Sequence, residues 1–293
     1  MAADLKIQVA VLSEPDSRSL FQQKAGDVVN SSTHQTYARD IVRECKGLPL
    51  AIVTLGRALA NKGDIVFADT LKQLQKSIYF DRMSPVTASI RLSYKFLQND
   101  STKLCFLLSC LFPEDFEIKI NALFCYVMGE RILKDVDNLE EARKRLHISS
   151  CLLIKNEDGD IMMHDVVRDV AISIASEEGN EFIVKAVMRF VGRPDIELEK
   201  CKRLSLMDTT IRCGLPDHIK APQLLTLLLH SCKMKIPHEL FKEMKSLLTL
   251  DVSRTYIHSL PSSISTLTNL RTLCMDGFPK FVDVSSIEKL ERL

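Results

Sequence analysis

The chain has 293 residues, 46% hydrophobic and 26% charged, which is enough to bury ordinary cores in two or three small domains and too apolar for a disordered chain. Its 39 Lys plus Arg against 38 Asp plus Glu leave a net charge of +1 with the signs mixed along the chain, so composition offers no electrostatic footprint for nucleic acid or an anionic membrane. Nine cysteines include no Cys-x-x-Cys pair, and several lie in apolar runs such as Cys105-Phe-Leu-Leu-Ser-Cys110, so they read as buried free thiols of a reducing compartment rather than as metal ligands or a disulfide framework.

The opening Met1-Ala-Ala-Asp-Leu-Lys has no leader pattern, and no uncharged apolar run approaches the ~18 residues of a membrane span, so a cytoplasmic protein is expected. Residues 1–83 read as short amphipathic helices. Ser13-Glu-Pro-Asp16 resembles a capping box ahead of Leu20, Phe21 and Ala25. Ala38, Ile41, Val42 and Cys45 then share one helical face, which Gly47 ends. Leu48 to Ala60 is apolar on most sides, with Pro49 in the first turn, and predicts a helix at the centre of a bundle.

Residues 84–180 predict helices over 86–97, 101–111, 119–131 and 138–147, then strands 151–155 and 161–163 about the turn Asn156-Glu-Asp-Gly-Asp160, then a helix over 166–176. Helices followed by a β-wing suggest a winged helix. The turn lacks the spaced downstream ligands of a calcium loop and reads as a solvated hairpin tip. Met163 is expected in the core and Asp165 as the cap of the last helix. His164 then lies beside a helix N-terminus, where free N–H groups and the dipole favour an anion.

Over 181–293 Cys201-x-x-Leu204-x-Leu206, Leu224-x-x-Leu227-x-Leu229, Leu247-x-x-Leu250-x-Val252 and Leu270-x-x-Leu273-x-Met275 repeat with a strict period of 23, with Leu215-Pro216, Ile236-Pro237 and Leu260-Pro261 breaking any helix between copies. The expected fold class is mainly α with a C-terminal α/β solenoid: a helical bundle, a winged-helix domain and leucine-rich repeats.

The ordered set Val11-Leu-Ser-Glu with Leu20-Phe21, Gly47-Leu-Pro-Leu-Ala-Ile-Val-Thr, Cys105-Phe-Leu-Leu-Ser-Cys-Leu-Phe-Pro-Glu-Asp115 and Met163-His-Asp-Val-Val-Arg-Asp-Val-Ala-Ile172, ahead of the repeats, resembles plant nucleotide-binding leucine-rich-repeat (NB-ARC-LRR) resistance proteins, most of all their coiled-coil class. The resemblance runs from about residue 11 to the end. It implies that 1–83 is the helical-bundle part of the NB-ARC module, 84–180 its winged helix, and 181–293 the first part of the repeat solenoid. It further implies an ADP-dependent immune switch, in which Pro49 of Gly47-Leu48-Pro49 lies against adenine and His164 of Met163-His164-Asp165 contacts the β-phosphate. On residues alone, Gly47 to Pro49 is fully accounted for as a helix stop followed by a helix start.

No glycine precedes a lysine and no Asp-Asp pair occurs, so neither a phosphate loop nor the family's acidic metal pair is encoded here. ADP or ATP is therefore expected to bind weakly or not at all to this chain, and no catalytic role or metal is expected. The family's α/β nucleotide domain is expected upstream of residue 11 and further repeats beyond Leu293, as in a receptor truncated at both ends; the join from Leu146 to Cys151 is also shorter than usual. Expected partners are a pathogen effector or guarded host protein and, within the receptor, a nucleotide-binding domain; any membrane association would run through partners. Leu225, Leu228 and Leu248, at positions facing the concave side, form an apolar cluster expected to be an interaction surface. Alternatives are a signalling ATPase in the full-length protein, a non-signalling remnant or decoy, and a DNA-reading winged helix, the last disfavoured by the acidic wing.

Overall fold

The structure, a computed structural model, describes residues 10–30, 32–133, 140, 152–177, 182–186, 188–190, 198–212, 214–216, 219–255, 257, 259–277 and 285–293. The chain divides into two compact units, Met1–Gln98 and Asn99–Leu293. No helix among the described residues is long and apolar enough to cross a membrane.

In the first unit, α1 (Glu14–Ala25) starts where the Ser13 hydroxyl accepts the Asp16 N–H at 3.3 Å, with Pro15 in the first turn. The helices α2 (Ser32–Glu44), α3 (Pro49–Leu59), α4 (Asp64–Gln75) and α5 (Pro85–Lys95) follow, and α4 runs on through one π turn to Phe80. As its apolar run predicts, α3 is central: Ala51, Ile52, Leu55 and Leu59 are completely buried. Its Gly56 lets α1 approach, because a Cβ there would lie 2.8 Å from Lys24 Cβ. Phe21 of α1, Ile41 of α2, Phe67 of α4 and Ala88 and Leu92 of α5 complete this core. Full burial of each large side chain contributes about 1.5–3 kcal/mol. Thus α5, read from sequence as opening the second domain at 84, buries its apolar face in the first unit.

The second unit begins with α6 (Asp100–Ser109), capped by Asn99 Oδ1 on the Thr102 N–H at 2.8 Å, and α7 (Ile120–Gly129). The antiparallel strands β1 (Ile154–Lys155) and β2 (Ile161–Met162) then lead to α8 (Asp165–Glu177). The predicted hairpin is present but shorter, since Leu152 and Leu153 are buried ahead of it, and Ile118 adds a third edge by pairing with Ile161. The predicted helix 138–147 lies outside the described residues apart from Glu140.

One end of the hairpin turn corrects the sequence reading. Glu157 and Asp158 are exposed, as a solvated tip requires, but Asp160 is buried. Its carboxylate accepts the Ile120 N–H at 3.2 Å and pairs with Lys119 at 2.7 Å, so it caps the N-terminus of α7. The hairpin therefore aims α7.

The solenoid is a five-stranded parallel sheet in the order β3 (Phe182–Val184), β5 (Arg203–Ser205), β7 (Thr226–Leu228), β8 (Thr249–Asp251) and β9 (Thr272–Cys274), beside the parallel pair β4 (Arg189–Phe190) and β6 (Thr210–Ile211). Register follows the 23-residue period: Leu204, Leu227, Leu250 and Leu273 stand in one row and lead into the solenoid core. After each of these strands the chain turns at a residue with positive φ, namely Asp208, Ser231, Arg254 and Gly277. The first three donate their N–H groups to the next coil at 2.8–3.0 Å, which offsets the ~1 kcal/mol that the left-handed conformation costs a non-glycine residue.

Candidate functional site

Three places carry the candidate residues. In the first unit, Lys46 and Gly47 both take positive φ and end α2. A Cβ on Gly47 would meet the Leu12 carbonyl oxygen at 2.5 Å, and the Leu12 N–H donates to the Gly47 carbonyl at 2.9 Å, so the segment before α1 is pinned across this turn. Leu48 packs partly into the core, whereas Pro49, the first residue of α3, is exposed. Val11, beside Gly47, is exposed as well.

In the second unit, Met163 is buried as expected. His164, not Asp165, caps α8: its carbonyl accepts the Arg168 N–H at 2.9 Å and its Nδ1 accepts the Val166 N–H at 3.2 Å, which leaves Asp165 as the first helical residue. An accepting Nδ1 puts the ring proton on Nε2, so exposed His164 carries a donor next to the helix start. Four residues on, Arg168 is buried and donates from Nε to the Phe112 carbonyl at 2.7 Å, with Glu114 3.7 Å from Nη1. One guanidinium thus ties Met163-His164-Asp165 to the Leu111-Phe112-Pro113-Glu114 stretch.

The third place is the concave face of the repeat sheet, where α7 lies. Glu130, at the end of α7, is gripped by the buried Arg203 of β5, whose Nε stands 2.9 and 3.1 Å from its two oxygens, and by the Thr226 hydroxyl at 2.5 Å. Arg203 also lies over the Phe182 ring, 4.9 Å from its centroid. Tyr126 donates its hydroxyl to Asp251 of β8, and burial together with the Asp251 charge holds the phenol well above its ordinary range. Its ring stacks on Phe112 at 5.7 Å. The Ser205 hydroxyl donates to the Leu111 carbonyl at 2.5 Å and the Thr272 hydroxyl to the Cys125 carbonyl at 3.2 Å. Gly129 makes the approach feasible, because a Cβ would come within 2.8 Å of Thr272 Oγ1 and closer still to Thr249 Oγ1.

These contacts correct the expectation of an exposed apolar cluster. Leu228 is completely buried, and Leu225 and Leu248 are half-buried. Their burial depends on what packs over the strands, which the repeat pattern does not encode. Sequence reasoning missed Glu130, Arg203, Tyr126, Asp251 and Arg168; the only signal was a charged side chain at Arg203 and Asp251 in strands otherwise made of apolar and hydroxyl residues.

A helical unit followed by a helix–hairpin–helix segment seated on a leucine-rich solenoid defines a repeat protein of the leucine-rich class. No family model matches the chain. It is 36% identical over 309 residues to the probable disease resistance protein At4g27220 of Arabidopsis thaliana, covering 99% of this chain and 33% of the relative. It is 34% identical to the disease resistance protein At4g27190 and 30% identical to the disease resistance protein RPS5, both of the same plant, over 100% and 92% of this chain and 31% and 32% of theirs. The chain is a homologue of the plant disease resistance proteins, consistent with an NB-ARC-LRR member, and spans about a third of the length of these relatives.

Proposed function

We propose that the chain is the regulatory and recognition part of an intracellular plant immune receptor, without a catalytic step of its own. In this reading the helices through α5 are the helical-bundle part of an NB-ARC module, the segment from α6 to about 180 a winged helix and 181–293 the start of the recognition solenoid, all acting in the cytoplasm. ADP bound to an adjoining nucleotide domain holds the receptor at rest, and a pathogen effector or guarded host protein releases it.

The observation that supports the switch is the cap of α8. With Nδ1 committed to the Val166 N–H, His164 offers Nε2–H at a helix start, the chemistry that a phosphate oxygen requires. Pro49, exposed at the head of α3, offers an apolar face that suits an adenine ring.

The test uses a receptor carrying an upstream nucleotide-binding domain joined to this chain. His164→Ala is expected to speed ADP release about tenfold, as loss of one charge-assisted hydrogen bond of ~1.4 kcal/mol would, and to raise basal signalling. His164→Asn, which retains a side-chain acceptor for the cap, should lose ADP retention without losing thermal stability. Unchanged ADP release in both variants would refute the role of His164.

A further inference from the structure

In the first unit α1 ends at Gly26, whose φ of 81° suits glycine, and the short 3-10 helix Asp27–Asn30 carries the chain back to α2. Between these three elements lies a groove that encloses about 110 Å³ and opens to solvent. Its floor is apolar: Phe21, Val29 and Val42 are buried there, and the small side chain of Ala38 leaves room above them. Its mouth is polar and of one sign. Arg18 and Gln22 stand on the α1 side, Gln35 and Arg39 on the α2 side, and all four are exposed. Among the described residues no carboxylate lines the groove. Glu14 pairs with Arg18 and lies 3.5 Å from Arg43, which also takes Asp40. An exposed pair of this kind contributes ~1 kcal/mol at most, so Arg18 can exchange it for a ligand. The Arg39 side chain makes no ion pair or hydrogen bond among the described residues.

The volume limits what can enter. Drug-sized molecules need ~300 Å³ or more, whereas a cavity of ~150 Å³ takes a single benzene ring. One branched or aromatic side chain therefore fits the floor. The mouth then selects what surrounds that anchor. A guanidinium fork matches a carboxylate, and a primary amide, donor and acceptor at once, matches a peptide group. With a guanidinium on each side of the groove, the complementary ligand carries an acid on each side of its apolar residue.

We propose that the groove between α1 and α2 docks an acidic peptide segment of a partner protein, seating one phenylalanine- or leucine-sized side chain on Phe21, Val29 and Val42 with the flanking carboxylates on Arg18 and Arg39. Apolar contact holds the anchor, while the two arginines choose the partner and attract it most strongly at low salt. None of the lining belongs to Gly47-Leu48-Pro49, so the site stands apart from the nucleotide reading and does not depend on it.

The test is an NMR titration of the folded, methyl-labelled full chain with the peptide Asp-Glu-Phe-Glu-Asp, blocked at both ends. Saturable shifts centred on the Val29, Ala38 and Val42 methyl groups are expected, with an affinity that falls as salt rises. Replacing the peptide's phenylalanine by alanine should weaken binding at least tenfold, the smaller end of what burial of one large apolar side chain supplies. Arg39→Glu, at an exposed position that spares the fold, should weaken it about fivefold, and Lys-Lys-Phe-Lys-Lys should not bind. Absence of saturable binding by Asp-Glu-Phe-Glu-Asp, binding unchanged in Arg39→Glu, or shifts centred elsewhere overturns the proposal. So does phenylacetate binding as tightly as the peptide, which would mark a site for small carboxylates. Self-association of the chain that Arg39→Glu abolishes would overturn it as well, by giving the groove to a second copy.

Discussion

The guanidinium of Arg168 is buried between α8 and the loop that follows α6, where its Nε donates to a backbone carbonyl at 2.7 Å. That carbonyl belongs to Phe112, whose ring stacks on Tyr126, and the neighbouring Leu111 carbonyl accepts the Ser205 hydroxyl. Removing the side chain leaves one buried acceptor without its donor and opens a void beside Phe112. Arg168→Ala should lower unfolding stability by about 2–3 kcal/mol, read as a shift of the urea midpoint at unchanged slope. Arg168→Lys should recover only part of that, since an ammonium cannot place a planar Nε–H on the carbonyl. A midpoint within experimental error of the wild type would remove Arg168 from its structural role. The sequence allowed a core Met163 and a His164 beside a helix start to be anticipated, because each follows from its place between strand and helix. It did not disclose that His164 caps α8, since histidine is an uncommon cap and Asp165, one residue on, fits the usual preference.

Of the elements, α7 is the one whose neighbours decide what it does. Its start is set by Asp160 from the hairpin, its packing by Gly129, and its far end by Glu130 and Arg203. Gly129→Ala would drive a methyl group into Thr249 and Thr272, both on the sheet. Overpacking of this kind costs about 1–3 kcal/mol. The thermal midpoint should therefore fall by ~2–4 °C for each kcal/mol lost in a unit of this size. Thr249→Gly would remove the closer of the two contacts and should recover part of the loss, while Thr272 Oγ1, 2.8 Å from the added Cβ, keeps the rest. A Gly129→Ala variant as stable as the parent would mean that the helix does not approach the sheet this closely. At this scale the sequence was most informative where periodicity was strong. The four in-register strands follow from a repeat of 23, and the central place of α3 from its apolar run. The strand β3 was not legible, because it pairs with β5 at a spacing of 21 residues, from Phe182 to Arg203, and puts Lys185 where the pattern has leucine. The capping Asp160 was hidden for a different reason: a turn sequence states its own geometry and not which helix end lies against it.

On the scale of the whole molecule, the second unit joins a helical segment and a repeat sheet through polar groups that neither part satisfies alone. Glu130 sits at a helix C-terminus, where the dipole opposes a negative charge, and is stable there because Arg203 and Thr226 meet it. Arg203 is buried in turn beside the threonines of its register row, Thr226, Thr249 and Thr272, and breaking such a buried pair by removing one partner costs about 3–5 kcal/mol. In the proposed switch, a concave face already occupied by α7 would report a ligand by exchanging one set of contacts for another. Glu130 and Arg203 together hold α7 on the concave face. Hydrogen exchange of the amides in 120–133 and 226–228 tests it most directly, in Glu130→Arg, in Arg203→Glu and in the variant carrying both. Each single reversal places like charges in a buried contact and should deprotect both segments at least tenfold, as a loss of ~1.4 kcal/mol or more requires. The double reversal restores opposite charges and should bring protection back toward the parent. Equal protection in all four proteins would contradict the account.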